Sequence, residues 1–167
     1  MDKSKTNKSI DPKTSIGHVH LKVADLKRSV EFYTEILGFN VMTLMGDSAA
    51  FLSAGGYHHH IGLNTWESAN GKQPPKGSTG LYHFAILVPS RKELARVFKR
   101  LMEHDYPIEG ASDHGVSEAI YLKDPDGNGI EIYADRPRSK WKYDFKGELI
   151  MHTNRLDVDN LMKELEK

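Results

Sequence analysis

A chain of 167 residues has room for one ordinary domain or two small fused modules with a real apolar core, and not for a large multidomain machine. Its 23 Lys and Arg balance 23 Asp and Glu, so no global basic field gathers nucleic acid or anionic membrane, and neither is expected as a partner. Without cysteine there are no disulfides, thiol nucleophiles or thiolate-held metals, so any metal site must use His and carboxylate; the 9 histidines are the compositional surplus.

Residues 1–14, rich in Lys, Ser and Asn around a lone Ile10, cannot bury enough surface to offset the entropy of ordering and are read as a disordered tail. No apolar run has the length of a membrane span and no signal-peptide core is present, so the expected location is cytoplasmic.

From Ile16 to Val23 the chain alternates, with Val19, Leu21 and Val23 on one face and Ile16, His18, His20 and Lys22 on the other, as in a strand. Asp25 then caps a helix whose stripe is Leu26, Val30, Tyr33 and Leu37 and which stops at Gly38. Strands are predicted over Phe39–Leu44, Ala49–Ser53 and about His58–Asn64, with Gly55-Gly56 in the last turn. The polar, Gly/Pro-rich stretch at 65–79 has no period and acts as a linker.

The same order then returns. His83–Val88 is a strand, Ser90 with Glu93 forms a capping box, and Leu94, Val97, Phe98 and Leu101 form the stripe of a second helix. Strands near Ile108–Ala111, Val116–Leu122 and Gly129–Ala134 follow. His18 falls on His83 and the cap Asp25 on the cap Ser90, which marks an internal duplication. The predicted fold is α+β, two tandem βαβββ modules whose curved sheets enclose a cavity. The first module spans 15–66, the linker 67–79 and the second module 80–136. Residues 137–167 form a charged extension with a helix around Leu156, Val158, Leu161 and Leu165, packed outside or on a partner.

Residues alternating away from the helices would line the enclosure: His18, His20, His83 and Glu131. Taken singly, a histidine in such a place is more often a hydrogen-bonded structural residue than a ligand, and Glu131 could be the polar tooth of a half-exposed strand. Two histidines on the same repeat position at the start of a strand are an odd coincidence for packing alone. Two imidazoles and one carboxylate suit a borderline divalent ion and leave coordination positions open. His104 and His152 read as surface residues.

The runs HVHLKVADLKRSVEFYTEILGF, HFAILV and YLKDPDGNGIEIY resemble the vicinal-oxygen-chelate superfamily of glyoxalases, bleomycin-resistance proteins and dioxygenases, over roughly residues 16–136. The resemblance implies metal ligands at His18, His83 and Glu131. A fourth ligand position of glyoxalase I falls on Gly62, which brings no donor and would leave room beside the metal. In motifs the chain is most similar to extradiol catechol 2,3-dioxygenases: His59 aligns with their acid–base histidine, with His60 as the alternative, and His114 and Tyr121 align with residues that hold the substrate oxygens. Implied are Fe(II), or else Mn(II), Ni(II), Co(II) or Zn(II), a small aromatic diol and O2 as substrates, ring opening to a semialdehyde, and a homodimer. Many such dioxygenases carry two double modules, and this chain has one. The alternatives are a glyoxalase-like lyase, isomerase or transferase, or a non-catalytic binding or resistance protein.

Overall fold

The computed structural model describes residues 9–167. Most of the expected tail lies outside the described residues. Residues 9–14 are exposed, and the Thr14 amide donates to the Asp11 carbonyl at 2.9 Å in a local turn.

The first module runs β1 (Val19–Lys22), α1 (Leu26–Glu31), β2 (Asn40–Met45), β3 (Ala49–Ser53) and β4 (Ile61–Asn64). Its sheet has the order β1-β4-β3-β2, with β1 parallel to β4 and the other pairs antiparallel. Leu21 and Val23 enter the core while His18, His20 and Lys22 face away, as alternation requires. The Asp25 carboxylate accepts from the Arg28 amide at 3.0 Å and caps α1. The helix does not continue regularly to Gly38. Residues Phe32–Ile36 form a widened π-helical turn in which the Leu37 amide reaches the Phe32 carbonyl at 3.2 Å, and the adjacent Phe32 and Tyr33 are both buried.

A second difference concerns the histidine run. The spacing predicts a strand from about His58, yet β4 begins at Ile61. The His60 ring turns back to Ser53 Oγ at 3.0 Å and receives the Ala54 amide at 3.3 Å, while Gly55 adopts φ +71°. Residues 54–60 are therefore a loop, and strand parity does not govern where the three rings point.

The second module runs β5 (Phe84–Leu87), α2 (Arg91–Glu103), β6 (Ile108–Asp113), β7 (Ser117–Lys123) and β8 (Gly129–Asp135). Ser90 Oγ caps α2 by accepting the Glu93 amide at 3.2 Å. The extension adds β9 (Asn154–Arg155) to the edge of this sheet, giving the order β5-β8-β7-β6-β9, and then α3 (Val158–Met162). It lies on its own chain: Leu156 and Leu161 are buried in the common core, and Arg91 binds Glu118 and Glu164 at 2.6 and 2.8 Å.

The result is an α+β fold with two open sheets of four and five strands sharing one continuous core. Module one is tied to module two where Tyr33 Oη donates to Asp124 at 3.0 Å, Arg28 pairs with Asp126 at 2.6 Å, and the Phe32 and Tyr106 rings pack at 4.9 Å. Among the described residues no helix is long and apolar enough to cross a membrane.

Candidate active site

The polar face of the second sheet carries a connected array. Tyr121 on β7 and Glu131 on β8 are direct cross-strand partners, and Tyr121 Oη donates to Glu131 Oε1 at 2.9 Å. Ala85 on β5 is the next residue in that row, and His83, just ahead of the strand, reaches the other carboxylate oxygen with Nε2 at 3.1 Å. His114, in the β6–β7 turn, stands 2.7 Å from Tyr121 Oη through its Nε2. Burial, followed by the hydrogen bond to Glu131, pushes the Tyr121 phenol above its usual range, so it remains a hydroxyl donor at neutral pH.

The Glu131 register is set by the turn between β7 and β8. Asp124, 4 % exposed, accepts the amides of Asp126 and Asn128 at 2.9 and 2.8 Å, the Asn128 side-chain amide at 2.8 Å and the Tyr33 hydroxyl at 3.0 Å. Asp126 in turn accepts the Ala24 amide at 3.0 Å. This one loop therefore closes the hairpin and ties it to the first module.

The first module contributes a second group of rings. His18 lies 4.4 Å from His59 between ring centroids, His59 packs edge-on to Phe51 at 5.1 Å, and the Nδ1 atoms of His58 and His59 are 2.8 Å apart. Burial first, and then the neighbouring imidazoles, hold His59 below its usual pKa and favour the neutral form, which an acid–base residue needs before it can accept a proton. His60, bound to Ser53, faces the opposite way into the cavity described next.

A cavity of about 750 Å³ has both His18 and His83 in its walls, with Val19, Phe39, Ile61, Leu81, Phe84 and Tyr133 among its other lining residues. His20, expected beside them, lines a separate groove with Glu67, Gln73 and Asp126. The space over Gly62 is also not open as expected. Its cross-strand partner His20 lies over it, and a Cβ there would stand 2.9 Å from the His20 ring, so the glycine makes room for an imidazole.

The structure brings His83, Glu131, Tyr121 and His114 into one array and His18 and His59 into another. Among the described residues no three His, Asp or Glu side chains converge closely enough to hold one ion, so His18 does not close a triad with His83 and Glu131. The pair that does converge fits a borderline divalent metal. Nitrogen and oxygen donors at about 2.0–2.2 Å from an ion and at right angles lie about 3 Å apart, and these stand at 3.1 Å.

Sequence reasoning misses one member of the array. His152 is a surface residue, as its sequence context predicts, yet its main-chain carbonyl lies 2.9 Å from His114 Nδ1. Nothing in residue type marks a backbone acceptor; the only trace is the β-compatible spacing ahead of the helix at Val158.

The chain is 47% identical over 156 residues to a catechol-2,3-dioxygenase of Bacillus subtilis (strain 168), covering 93% of this chain and 54% of the relative, so it spans about half that protein's length. It is 30% identical over 124 residues to a trivalent organoarsenical cleaving enzyme of Bacillus sp. (strain MD1), covering 70% of this chain and 71% of the relative. A glyoxalase/dioxygenase crystal structure from Nostoc punctiforme superposes with a TM-score of 0.62 at 23% identity, over 78% of this chain and 99% of that one, which shows a shared fold. The family model for the glyoxalase/bleomycin resistance protein/dioxygenase superfamily matches residues 15–132, which takes in the first module, the second up to the middle of β8, and every side chain of the two arrays. With two modules of the same element order and a family match across most of its length, the chain belongs to the glyoxalase/bleomycin resistance protein/dioxygenase superfamily.

Proposed function

We propose that this chain is a metal-dependent extradiol ring-cleaving dioxygenase that opens a catechol-type diol with O2. The observation that carries the reading is the linked array His83–Glu131–Tyr121–His114, which sets a metal-type donor pair beside a phenol and an imidazole able to hydrogen-bond a diol. The likeness to a catechol-2,3-dioxygenase supports the same choice. His83 and Glu131 would hold the ion; His18, which stands apart from them within one chain, would have to reach it as the third donor from the second copy of the homodimer. When bound, Fe(II) or another redox-active divalent ion would supply Lewis acidity toward the diol oxygens and a path for the diol's electrons to dioxygen.

The remaining work belongs to the chain. Tyr121 holds Glu131 in one orientation and offers its oxygen to a bound diol; His114 holds Tyr121 from the other side. His59, kept neutral by its surroundings, accepts a diol proton and returns one later, with His60 as the alternative carrier on the cavity side. The apolar walls from Phe39, Leu81 and Phe84 suit the aromatic ring and exclude water from it. In this reading the working unit is a homodimer acting in the cytoplasm.

Anaerobic loading with Fe(II) followed by oxygen uptake with catechol and substituted catechols tests the proposal. The expected result is stoichiometric uptake with a ring-opened semialdehyde, abolished in Glu131→Ala; no uptake across several catechols overturns it. A second reading, a metal-dependent lyase or transferase, is favoured by the likeness to the organoarsenical-cleaving enzyme. Turnover restored by Mn(II) or Ni(II) without diol-dependent oxygen consumption selects that one.

A further inference from the structure

We propose that the C-terminal extension is part of the active site: the main-chain carbonyl of His152 fixes the tautomer and orientation of His114, making His152 a positioning residue for the Tyr121–His114 pair. The assignment of that pair to diol binding rests on the dioxygenase reading; the positioning itself does not.

His114 occupies a turn outside the regular ladder, where a side chain has little to restrain it. The turn itself is well held, with the His114 amide donating to the Ser117 carbonyl at 2.9 Å and the Gly115 amide to Asp113 at 2.8 Å. Asp113 is clamped in turn by Arg136 at 2.8 Å. What holds the ring is the extension. The His152 amide donates to the His114 carbonyl at 3.3 Å, and His114 Nδ1 returns a bond to the His152 carbonyl at 2.9 Å. The two residues thus exchange main-chain and side-chain bonds, one residue out of step with the β6–β9 pairing of Ser112 with Arg155 and Asp113 with Asn154.

A carbonyl oxygen can only accept, so Nδ1 must carry hydrogen. In the neutral ring that leaves Nε2 as a lone pair 2.7 Å from Tyr121 Oη, where it competes with Glu131 for the single hydroxyl hydrogen. Free imidazole in histidine favours the opposite tautomer, so the fold is choosing the minority form, by the rule that one ring nitrogen's partner determines what the other presents. Thr153 Oγ1 lies 3.4 Å from the same Nδ1, and as a hydroxyl it serves either tautomer. The segment is anchored from below by buried Leu156 and Leu161, and its His152 ring covers Gly115, where a Cβ would approach to 2.8 Å. The likeness to the catechol-2,3-dioxygenase extends over 93% of the chain and so takes in this segment, whereas the family model ends at residue 132.

The test uses the metal-free full chain with nitrogen-15 histidine and long-range proton–nitrogen spectra at a pH of about 8, above the ordinary imidazole pKa of about 6.5. The His114 signals are those lost in His114→Gln. The expected result is an Nδ1–H tautomer in the intact chain, shifting toward Nε2–H in His152→Pro, which keeps the carbonyl but loses the amide bond that docks the segment on His114, so that the acceptor is no longer held against Nδ1. Diol turnover in His152→Pro is expected to fall about tenfold or more. An Nε2–H tautomer in the intact chain overturns the proposal, as does an unchanged Nδ1–H form in a His152→Pro protein with dispersed amide signals. If that variant does not fold, the tautomer of the intact chain decides alone. An Nδ1–H signature in a protein that opens no diol keeps this assignment and overturns the dioxygenase reading.

Discussion

Replacing Asp124 by Ala removes the acceptor for four hydrogen bonds at once, and their surroundings determine the cost. The Asp126 and Asn128 groups lie in a half-exposed turn where water can replace the lost partner, at a net cost of about 1 kcal/mol together. The Tyr33 hydroxyl cannot be rescued in this way. Tyr33 is 0 % exposed, and stranding its donor costs about 1–3 kcal/mol. Asp124→Ala is therefore expected to lose about 2–4 kcal/mol in urea unfolding followed by circular dichroism. Tyr33→Phe removes the stranded donor, so the double variant should cost less than the two single changes combined, with a coupling of about 1–2 kcal/mol. A loss below about 1 kcal/mol for Asp124→Ala at unchanged m-value, or an additive cycle, refutes the reasoning. The pH dependence has a definite sign. Burial, outweighing the hydrogen bonds that oppose it, raises the Asp124 carboxyl above the ordinary 3.8 of an aspartate, so the folded state takes up this proton at higher pH than the unfolded chain does. The advantage of the native protein over Asp124→Ala should consequently widen as pH falls through the raised folded value and level off below about 3.8.

Two further substitutions test the site. Tyr121→Phe removes the hydroxyl that orients Glu131 and should weaken divalent-metal affinity about 10- to 100-fold in competition with a coloured chelator; equal affinity would show that the carboxylate needs no such support. Gly62→Val places a branched side chain against the His20 ring and should cost about 1–3 kcal/mol in urea unfolding, part of it recovered when His20→Ala is added; a neutral Gly62→Val would mean the ring has somewhere else to go.

Periodicity made the duplicated modules legible because each strand buries one face and each helix one stripe: Leu21 and Val23 entered the core and His18 and His20 did not. The ten-residue spacing of Tyr121 and Glu131 also has a physical content, since a tight turn from Asp124 to Asn128 makes them direct partners across the hairpin. Three features were not legible. The histidine run sits in a loop because Ser53 captures the His60 ring, a contact between side chains that no alternation rule can anticipate. The place above Gly62 is occupied by its cross-strand neighbour, so a missing side chain did not mean empty space. The contribution of His152 comes from its backbone, to which residue identity is blind.

The order β5-β8-β7-β6-β9 makes the first strand of the second module the immediate neighbour of its last, running in the same direction. His83 and Glu131 meet because of that adjacency, although the whole of α2, β6 and β7 intervenes between them. Connections on the far side of the sheet can then lengthen, shorten or change composition while the two donors keep their spacing. Such an architecture separates the chemistry a chain can perform from the molecules it admits, and lets each be altered with little disturbance to the other.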